Sequence, residues 1–391
     1  LGQLPGMTND EQALECVHRG DQVVRQEECT LCGGRRRVAD VYACAIHGEC
    51  TLRRTRAGSG GPPNCLGCPE RTTADGQRPP HAPRKLILHC RLSPGDVLTL
   101  TAAVESLHRL RKRKFLTDVR TPCPAIWEHN PHLTPIADDD PAAEHLEMHY
   151  PTIDRSNQTP ETFLAGYTAH LARLLDERLW LTTNRPHLYL SHDEQHWIGQ
   201  VEEQLGRRVP YWLVSAGTKR DFTAKQWPVE FYQQVVDHFA GRLQFVQIGS
   251  AEHRHPCLRG VFDLRGKTDL RQLVRLAYHA AGGLGPVTLL QHLCAAWEKP
   301  YVCLVGGREP VSWVSSYPRQ HTLHTIGGLA CCRAGACWKS RVVPLGDGEP
   351  HDRSLCEDPV AGTFQLPVGR CMAQIRPAEV IACVERLAFS G

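Results

Sequence analysis

From Arg84 onward the apolar positions switch repeatedly between the runs of buried strands and the spacing of helices. Lys85-Leu-Ile-Leu-His-Cys90 is a short apolar run fit for a buried strand, a glycine-containing turn follows, and Val97 to Leu110 is spaced as a helix. Phe115 to Val119 and Ala125 to Trp127 read as further strands, and Glu161 to Asp176 as a long amphipathic helix. A second series opens at Tyr211-Trp-Leu-Val-Ser215. It continues with a helix from Pro228, a residue suited to the first helical turn, to about Phe239, and a strand Leu243 to Ile248 ending at Gly249. A helix Asp269 to His279, a helix beginning near Pro286 and a strand Tyr301 to Val305 closed by Gly306-Gly307 complete it. Strands and helices alternating in two series predict an α/β fold of two doubly wound, Rossmann-like halves with a cleft between them.

The first 75 residues do not share this pattern. They have little apolar periodicity and many turn formers, and they end in Arg-Thr-Thr-Ala-Asp-Gly-Gln-Arg-Pro-Pro, which reads as a linker. The expected organisation is a cysteine- and histidine-rich metal-binding module over 1–75, a first Rossmann-like half over 84–205 and a second over 206–391 that carries a cysteine finger at 331–371. With 391 residues, 41% of them hydrophobic, the chain is long enough for several cores. No run of about 18 apolar residues is present, and the first ten residues lack the basic and apolar regions of a signal peptide. A soluble, cytoplasmic protein is expected.

A formal charge of +3 is small for this length and argues against a chain built to neutralise a phosphate backbone. Basic runs occur at Arg35-Arg36-Arg37 and Arg111-Lys-Arg-Lys114, but residues 1 to 84 hold eleven Lys/Arg against ten Asp/Glu. These runs read as solvated faces, and no nucleic-acid partner is expected.

Most of the eighteen cysteines fall into two clusters with metal-ligand spacing. Cys29-x2-Cys32 and Cys65-x2-Cys68 form paired knuckles, which bring four thiolates to tetrahedral geometry around Zn²⁺. Cys16-x-His18 and Cys44-x2-His47-x2-Cys50 supply a second site, with Cys16, His18, Cys44 and Cys50 as ligands and His47 as the alternate. An iron–sulfur cluster is the competing reading. With so little apolar residue to bury, such a module depends on metal to fold. Cys90, Cys123, Cys257, Cys294, Cys303 and Cys383 sit in apolar runs and read as small core residues.

Three separated stretches point to chemistry: Pro94-Gly95-Asp96 after the first strand, Lys225-Gln-Trp-Pro228, and His292-Leu-Cys-Ala-Ala296 running to Pro300. Asp96 lies at the carboxyl end of a strand, where ligands bind in open α/β folds, and from its type it is equally a cap for the helix from Val97. Lys225, before a helix start, can reach a diphosphate, with Lys219 as a second cation. Gly285 and Thr288 offer amides and a hydroxyl to a phosphate at the next helix start, and Arg308 in Gly306-Gly-Arg-Glu-Pro310 offers another phosphate contact. His292 reads as a helix-to-core hydrogen bonder.

Taken in order, these stretches resemble glycosyltransferase family 9, the ADP-heptose:lipopolysaccharide heptosyltransferases, over roughly residues 84 to 310. The resemblance implies a GT-B fold whose last helix, near Pro377 to Leu387, packs back across the first half. It implies Asp96 as the base that deprotonates the acceptor hydroxyl, Lys225 on the donor phosphates, and Glu252 near the donor ribose. The segment Gly282 to His292 departs from the family by lacking its acidic residue, which puts the sugar in doubt. The tail resembles the bacterial autotransporter heptosyltransferases, whose four-cysteine finger holds iron. That resemblance assigns Cys332, Cys337, Cys356 and Cys371 to Zn²⁺ or iron, with Cys331 spare, and tilts the acceptor towards a protein or peptide. The expected activity is inverting transfer of a heptose from ADP-heptose, with oligomerisation left open. The alternatives are a degenerate transferase that only binds a nucleotide or peptide, and a lipopolysaccharide core heptosyltransferase.

Overall fold

The computed structural model describes residues 83–149, 157–217, 223–253, 255–337, 358–362 and 367–389, the short runs 342–343 and 355–356, and the backbone of three earlier strands. Those strands, β1 (Arg19–Glu28), β2 (Arg35–Cys44) and β3 (Gly48–Arg53), form an antiparallel sheet in the order β1-β2-β3. Its valines are scattered among charged residues and give little apolar signal in the sequence. Cys44 stands opposite Gly48 and Cys50 opposite Tyr42. The other residues expected to bind metal there, Cys16, His18, Cys29, Cys32, His47, Cys65 and Cys68, lie outside the described residues.

The chain divides into two compact units, Leu1–Ile87 with Arg111–Asp118 and Thr134–His145, and Leu88–Leu110 with Val119–Leu133 and Leu146–Gly391. Three strands begin in the first unit: β4 (Arg84–His89), β5 (Phe115–Arg120) and β6 (Ala143–Glu147), in the order β5-β4-β6. Leu86 and Ile87 of β4 are fully buried. Arg84 forms a two-pronged ion pair with Glu144, and Lys85 pairs with Asp140.

The second unit is built on a six-stranded sheet of β7 (Tyr211–Val214), β8 (Gln244–Gln247), β9 (Phe262–Asp263), β10 (Gly282–Pro286), β11 (Tyr301–Gly306) and β12 (Gln320–His324). The order is β12-β11-β10-β7-β8-β9, and every neighbouring pair is parallel. Parallel strands covered on both faces need near-continuous apolar runs, and every residue of Tyr211–Val214 and Tyr301–Gly306 is buried. Chain order reverses between β7 and β10. That switch point opens the crevice in which doubly wound sheets bind ligands.

The helices are α1 (Pro94–Leu110), α2 (Phe163–Leu175), α3 (His192–His196), α4 (Val229–His238), α5 (Leu270–His279), α6 (Leu289–Ala296) and α7 (Pro377–Phe389), and all but the five-residue α3, which has no apolar residue, follow the apolar spacing. Their starts have local causes. Thr162 caps α2 through Ala165 N, and Ser191 with Glu194 and Asp269 with Gln272 form capping boxes at α3 and α5.

Three expectations are corrected. The segment at Ala125 to Trp127 is not a strand but part of a 3₁₀ turn, Pro124–Ile126, because a proline opens it and three apolar residues are too few to establish a period. The helix expected near Pro286 starts three residues later, α6 at Leu289, because Gly282–Pro286 is the central strand β10. Glycine is required there, since a β-carbon on Gly282 would meet the Trp212 ring at 2.4 Å. The final helix packs on α4 and β11 of its own half, placing Val380, Cys383 and Val384 in one core with Trp227, Tyr232 and Phe239. Among the described residues no helix is long and apolar enough to cross a membrane.

Candidate donor-binding site

Strand β4 leads through Ser93 into α1, whose first turn carries Asp96. The helix begins at Pro94, so Asp96 is inside the first turn and is not the cap of a helix from Val97; the amides of Asp96 and Val97 both donate to the Ser93 carbonyl. A carboxylate there is favoured by the helix dipole. The β-carbon position of Gly95, the residue before Asp96, lies 3.1 Å from the His292 ring and 3.6 Å from the Leu289 amide, so the first turn of α1 packs at the start of α6, beside the switch point of the sheet.

Lys225 ends a 3₁₀ turn, Thr223–Lys225, just before the Pro228 cap of α4. Its ammonium donates to Glu309 Oε1 at 2.9 Å and to the Val287 carbonyl at 3.0 Å, one residue before the Thr288 cap of α6. Arg308 also donates to Glu309 Oε1, and both residues are only 1% exposed. Burial pushes the Lys225 amine below its ordinary range, while the Glu309 charge opposes that fall. Burial raises the Glu309 carboxyl, but the Lys225 and Arg308 charges outweigh it and hold it below the ordinary range. The triad of two cations and one carboxylate is itself net positive.

His292, on α6, is buried, and its Nδ1 lies 2.8 Å from the Tyr317 hydroxyl. Burial first, and the Lys225 charge second, push the imidazole down to about 3. A neutral histidine held by a tyrosine is a packing and positioning group, in accord with its reading as a core hydrogen bonder.

Of the other expected contacts, Gly285 and Thr288 stand at the switch point and Arg308 stands beside Lys225 through Glu309. The Thr288 oxygen is buried without a hydrogen bond of good geometry; the neighbouring Tyr301 hydroxyl donates to the Pro286 carbonyl at 2.9 Å. Glu252 is exposed in the turn after β8, its amide on the Ser250 hydroxyl at 3.3 Å. Lys219 lies outside the described residues. Glu309, Tyr317 and the Val287 carbonyl were not anticipated. The Arg-Glu pair in Gly306-Gly-Arg-Glu-Pro310 was the available signal for Glu309, because a buried ion pair follows naturally from opposite charges at a strand end.

A cavity of about 460 Å³ adjoins this site, lined by Cys331, Cys337, Cys356 and Cys371 together with Arg308 and Asp358. The cysteine on the cavity is Cys331, whereas Cys332 is 1% exposed with its thiol on the Thr325 and Leu329 carbonyls at 3.6 Å each. Desolvation, reinforced by the neighbouring thiols, pushes Cys337 up to about 12 and Cys371 up to about 11. Thiols are the ligands a thiophilic cation prefers, but no three of these four bring their sulfur atoms within 4.8 Å of one another. Among the described residues, the trio with potential ligand atoms within 4.8 Å of one another is instead Glu128, His129 and Glu194. Glu194 is already taken by a two-pronged pair with Arg271, at 2.6 Å to each oxygen.

Residues 177–335 match the family model of glycosyltransferase family 9 (heptosyltransferase). The chain carries a glycosyltransferase family 9 domain. It is thus a glycosyltransferase. No curated protein matches it in sequence. Among solved structures it is similar to a family 9 glycosyltransferase of Veillonella parvula, with a TM-score of 0.55 and 12% identity over 79% of this chain and 98% of that one. It is also similar to the iron-containing dodecameric glycosyltransferase TibC of enterotoxigenic Escherichia coli, with a TM-score of 0.54 and 18% identity over 78% of each chain. A TibC complex with ADP-D-β-D-heptose gives a TM-score of 0.53 and 16% identity, over 96% of this chain and 93% of that one. At these identities the likeness establishes the fold, a GT-B-like pair of α/β halves.

Proposed function

We propose that this glycosyltransferase moves a heptose from ADP-heptose to a hydroxyl of a protein or peptide, with inversion at the anomeric carbon. The observation that carries the reading is that the first turn of α1, which holds Asp96, packs at the start of α6, just after the Val287 carbonyl that the Lys225 ammonium contacts beside Glu309. Asp96 takes the proton of the acceptor hydroxyl as its oxygen bonds to the anomeric carbon from the face opposite the diphosphate. The bond from that carbon to the diphosphate oxygen breaks, and its electron pair leaves with the nucleotide. The departing charge is met by the Lys225 ammonium, Arg308 and the start of α6.

A structural metal, zinc or iron, belongs in the cysteine cavity, held by Cys331, Cys337, Cys356 and Cys371. TibC, described as iron-containing, a dodecamer and a heptosyltransferase, supports the metal, the donor and assembly into oligomers. The domain limits read from the sequence, with a metal-binding module over 1–75, are part of this proposal, as is a cytoplasmic location. The test is incubation with ADP-heptose and either a hydroxyl-bearing peptide or a lipopolysaccharide core acceptor, with the anomeric configuration of the product read by NMR. Inverted product on the peptide supports the reading. Product on the lipid alone replaces the acceptor, and ADP binding without product on either marks a binding protein, which the missing acidic residue at Gly285 would favour.

A further inference from the structure

We propose that Glu309 is the positioning residue of the donor site, holding the Lys225 ammonium at the switch point in its charged form. The inference rests on the reading that Lys225 meets the donor diphosphate. An amine this enclosed tends to release its proton unless a fixed negative charge opposes the loss. Glu309 supplies that charge at 2.9 Å, and the Val287 carbonyl at 3.0 Å fixes the second direction. The charged and titratable groups that act on Lys225 from the surrounding elements are Glu309, Arg308, Asp96, His292 and Cys303. Two are carboxylates, and Glu309 is in direct contact with the ammonium.

The carboxylate is itself fixed from behind. Gly306, at φ +61°, and Gly307 form the turn that delivers Arg308 and Glu309, and Cys337 N donates to the Gly307 carbonyl at 2.9 Å. A β-carbon on Gly306 would meet Met372 Sδ at 2.6 Å, and one on Gly307 would meet Cys332 Sγ at 3.1 Å, so the turn is clamped against the cysteine-rich segment. Glu309 therefore stays in place when a diphosphate draws on the lysine. Arg308, on the same oxygen, keeps Glu309 from cancelling the positive charge of the site.

The test is calorimetric titration of ADP between pH 7.5 and 9.5, a range above the last phosphate ionisation, into wild type, Glu309→Gln, Glu309→Asp and Lys225→Ala. Removing the carboxylate charge lowers the lysine pKa, so affinity in Glu309→Gln is lost as pH rises, with its midpoint about one pH unit or more below that of wild type. Glu309→Asp restores the wild-type midpoint with weaker binding, because the charge remains and the reach shortens. A Glu309→Gln profile parallel to wild type, even at uniformly lower affinity, overturns the proposal and leaves Glu309 a packing residue. If Glu309→Gln does not fold, the comparison of Glu309→Asp with wild type decides, since a midpoint shifted down in step with affinity denies the charge its role. Wild-type affinity in Lys225→Ala at every pH instead defeats the underlying placement of the lysine, a different result from the first.

Discussion

A β-carbon added to Gly285 would lie 2.9 Å from the Tyr301 hydroxyl and 3.1 Å from the Ser215 carbonyl. The centre of the switch point is therefore closed to any side chain larger than hydrogen. Gly285→Asp, which would reintroduce an acid into this segment, is expected to destabilise the protein by about 1–3 kcal/mol, as overpacking does, and to weaken ADP binding. A melting temperature equal to wild type with unchanged or tighter ADP binding would show that the strand has room.

Asp96→Asn is expected to cut single-turnover transfer by about 10²-fold or more, because an amide cannot accept the acceptor's proton. Donor affinity should stay close to wild type. Since Asp96 lies within the first turn, loss of its charge removes its interaction with the helix dipole, about 0.3–1 kcal/mol of stability. Transfer at the wild-type rate would send the search for a base elsewhere in the site.

Lys225→Ala is expected to weaken ADP binding about 10- to 100-fold, the size of a charge-assisted hydrogen bond to phosphate. It also leaves Glu309 with Arg308 alone in a buried place, so the melting temperature should fall as well. Both are read in one calorimetric and one thermal series. An unchanged dissociation constant would remove Lys225 from the donor site.

His292 gives the protein an acid-sensitive core. Its folded pKa is depressed from the ordinary 6.5 to about 3, so below pH 6.5 the unfolded chain binds a proton that the folded one does not. Stability is therefore complete above about 6.5 and falls as pH drops, by about 2 kcal/mol at pH 5 from this residue alone. His292→Gln, which keeps a partner for Tyr317, should show a smaller drop in melting temperature between pH 7 and pH 5. Equal drops in the two proteins would place the acid sensitivity at other groups such as His108, pushed by burial to about 4.

The sequence exposed most of the frame because buried parallel strands and amphipathic helices leave strong periods. Tyr211–Val214, Leu270–His279 and Pro377–Phe389 all fell within a residue or two of expectation. What failed was short or depended on partners. Gly282–Pro286 looks like a loop because its glycines have no side-chain signal, and only partners distant in sequence, Trp212 at Gly282 and Tyr301 at Gly283 and Gly285, explain them. In the site, Asp96 and Lys225 stood out by their places before helices, but Glu309 meets Lys225 across 84 residues of chain, and no local spacing reports that contact. The buried network in which Glu105 accepts from Tyr189 at 2.7 Å and stands 2.9 Å from His132 Nε2 was invisible for the same reason.

The metal content separates two sets of cysteines. Nine Cys/His residues at ligand spacing in residues 1–75 call for about two tetrahedral ions, and the cavity cysteines call for about one more, so elemental analysis of the purified protein should find about three. Cys331→Ser and Cys332→Ser then distinguish neighbours in sequence. Cys331 lines the cavity, whereas the Cys332 thiol is spent on the Thr325 and Leu329 carbonyls. Cys331→Ser should lose one equivalent of metal and Cys332→Ser should keep it, with only the modest loss of stability that follows a weakened hydrogen bond. Loss of the ion in Cys332→Ser and its retention in Cys331→Ser would reverse the assignment to the set resembling the autotransporter enzymes. A total below two, with thiols that titrate freely in the native protein, would refute metal binding in the module and leave its cysteines without a structural role.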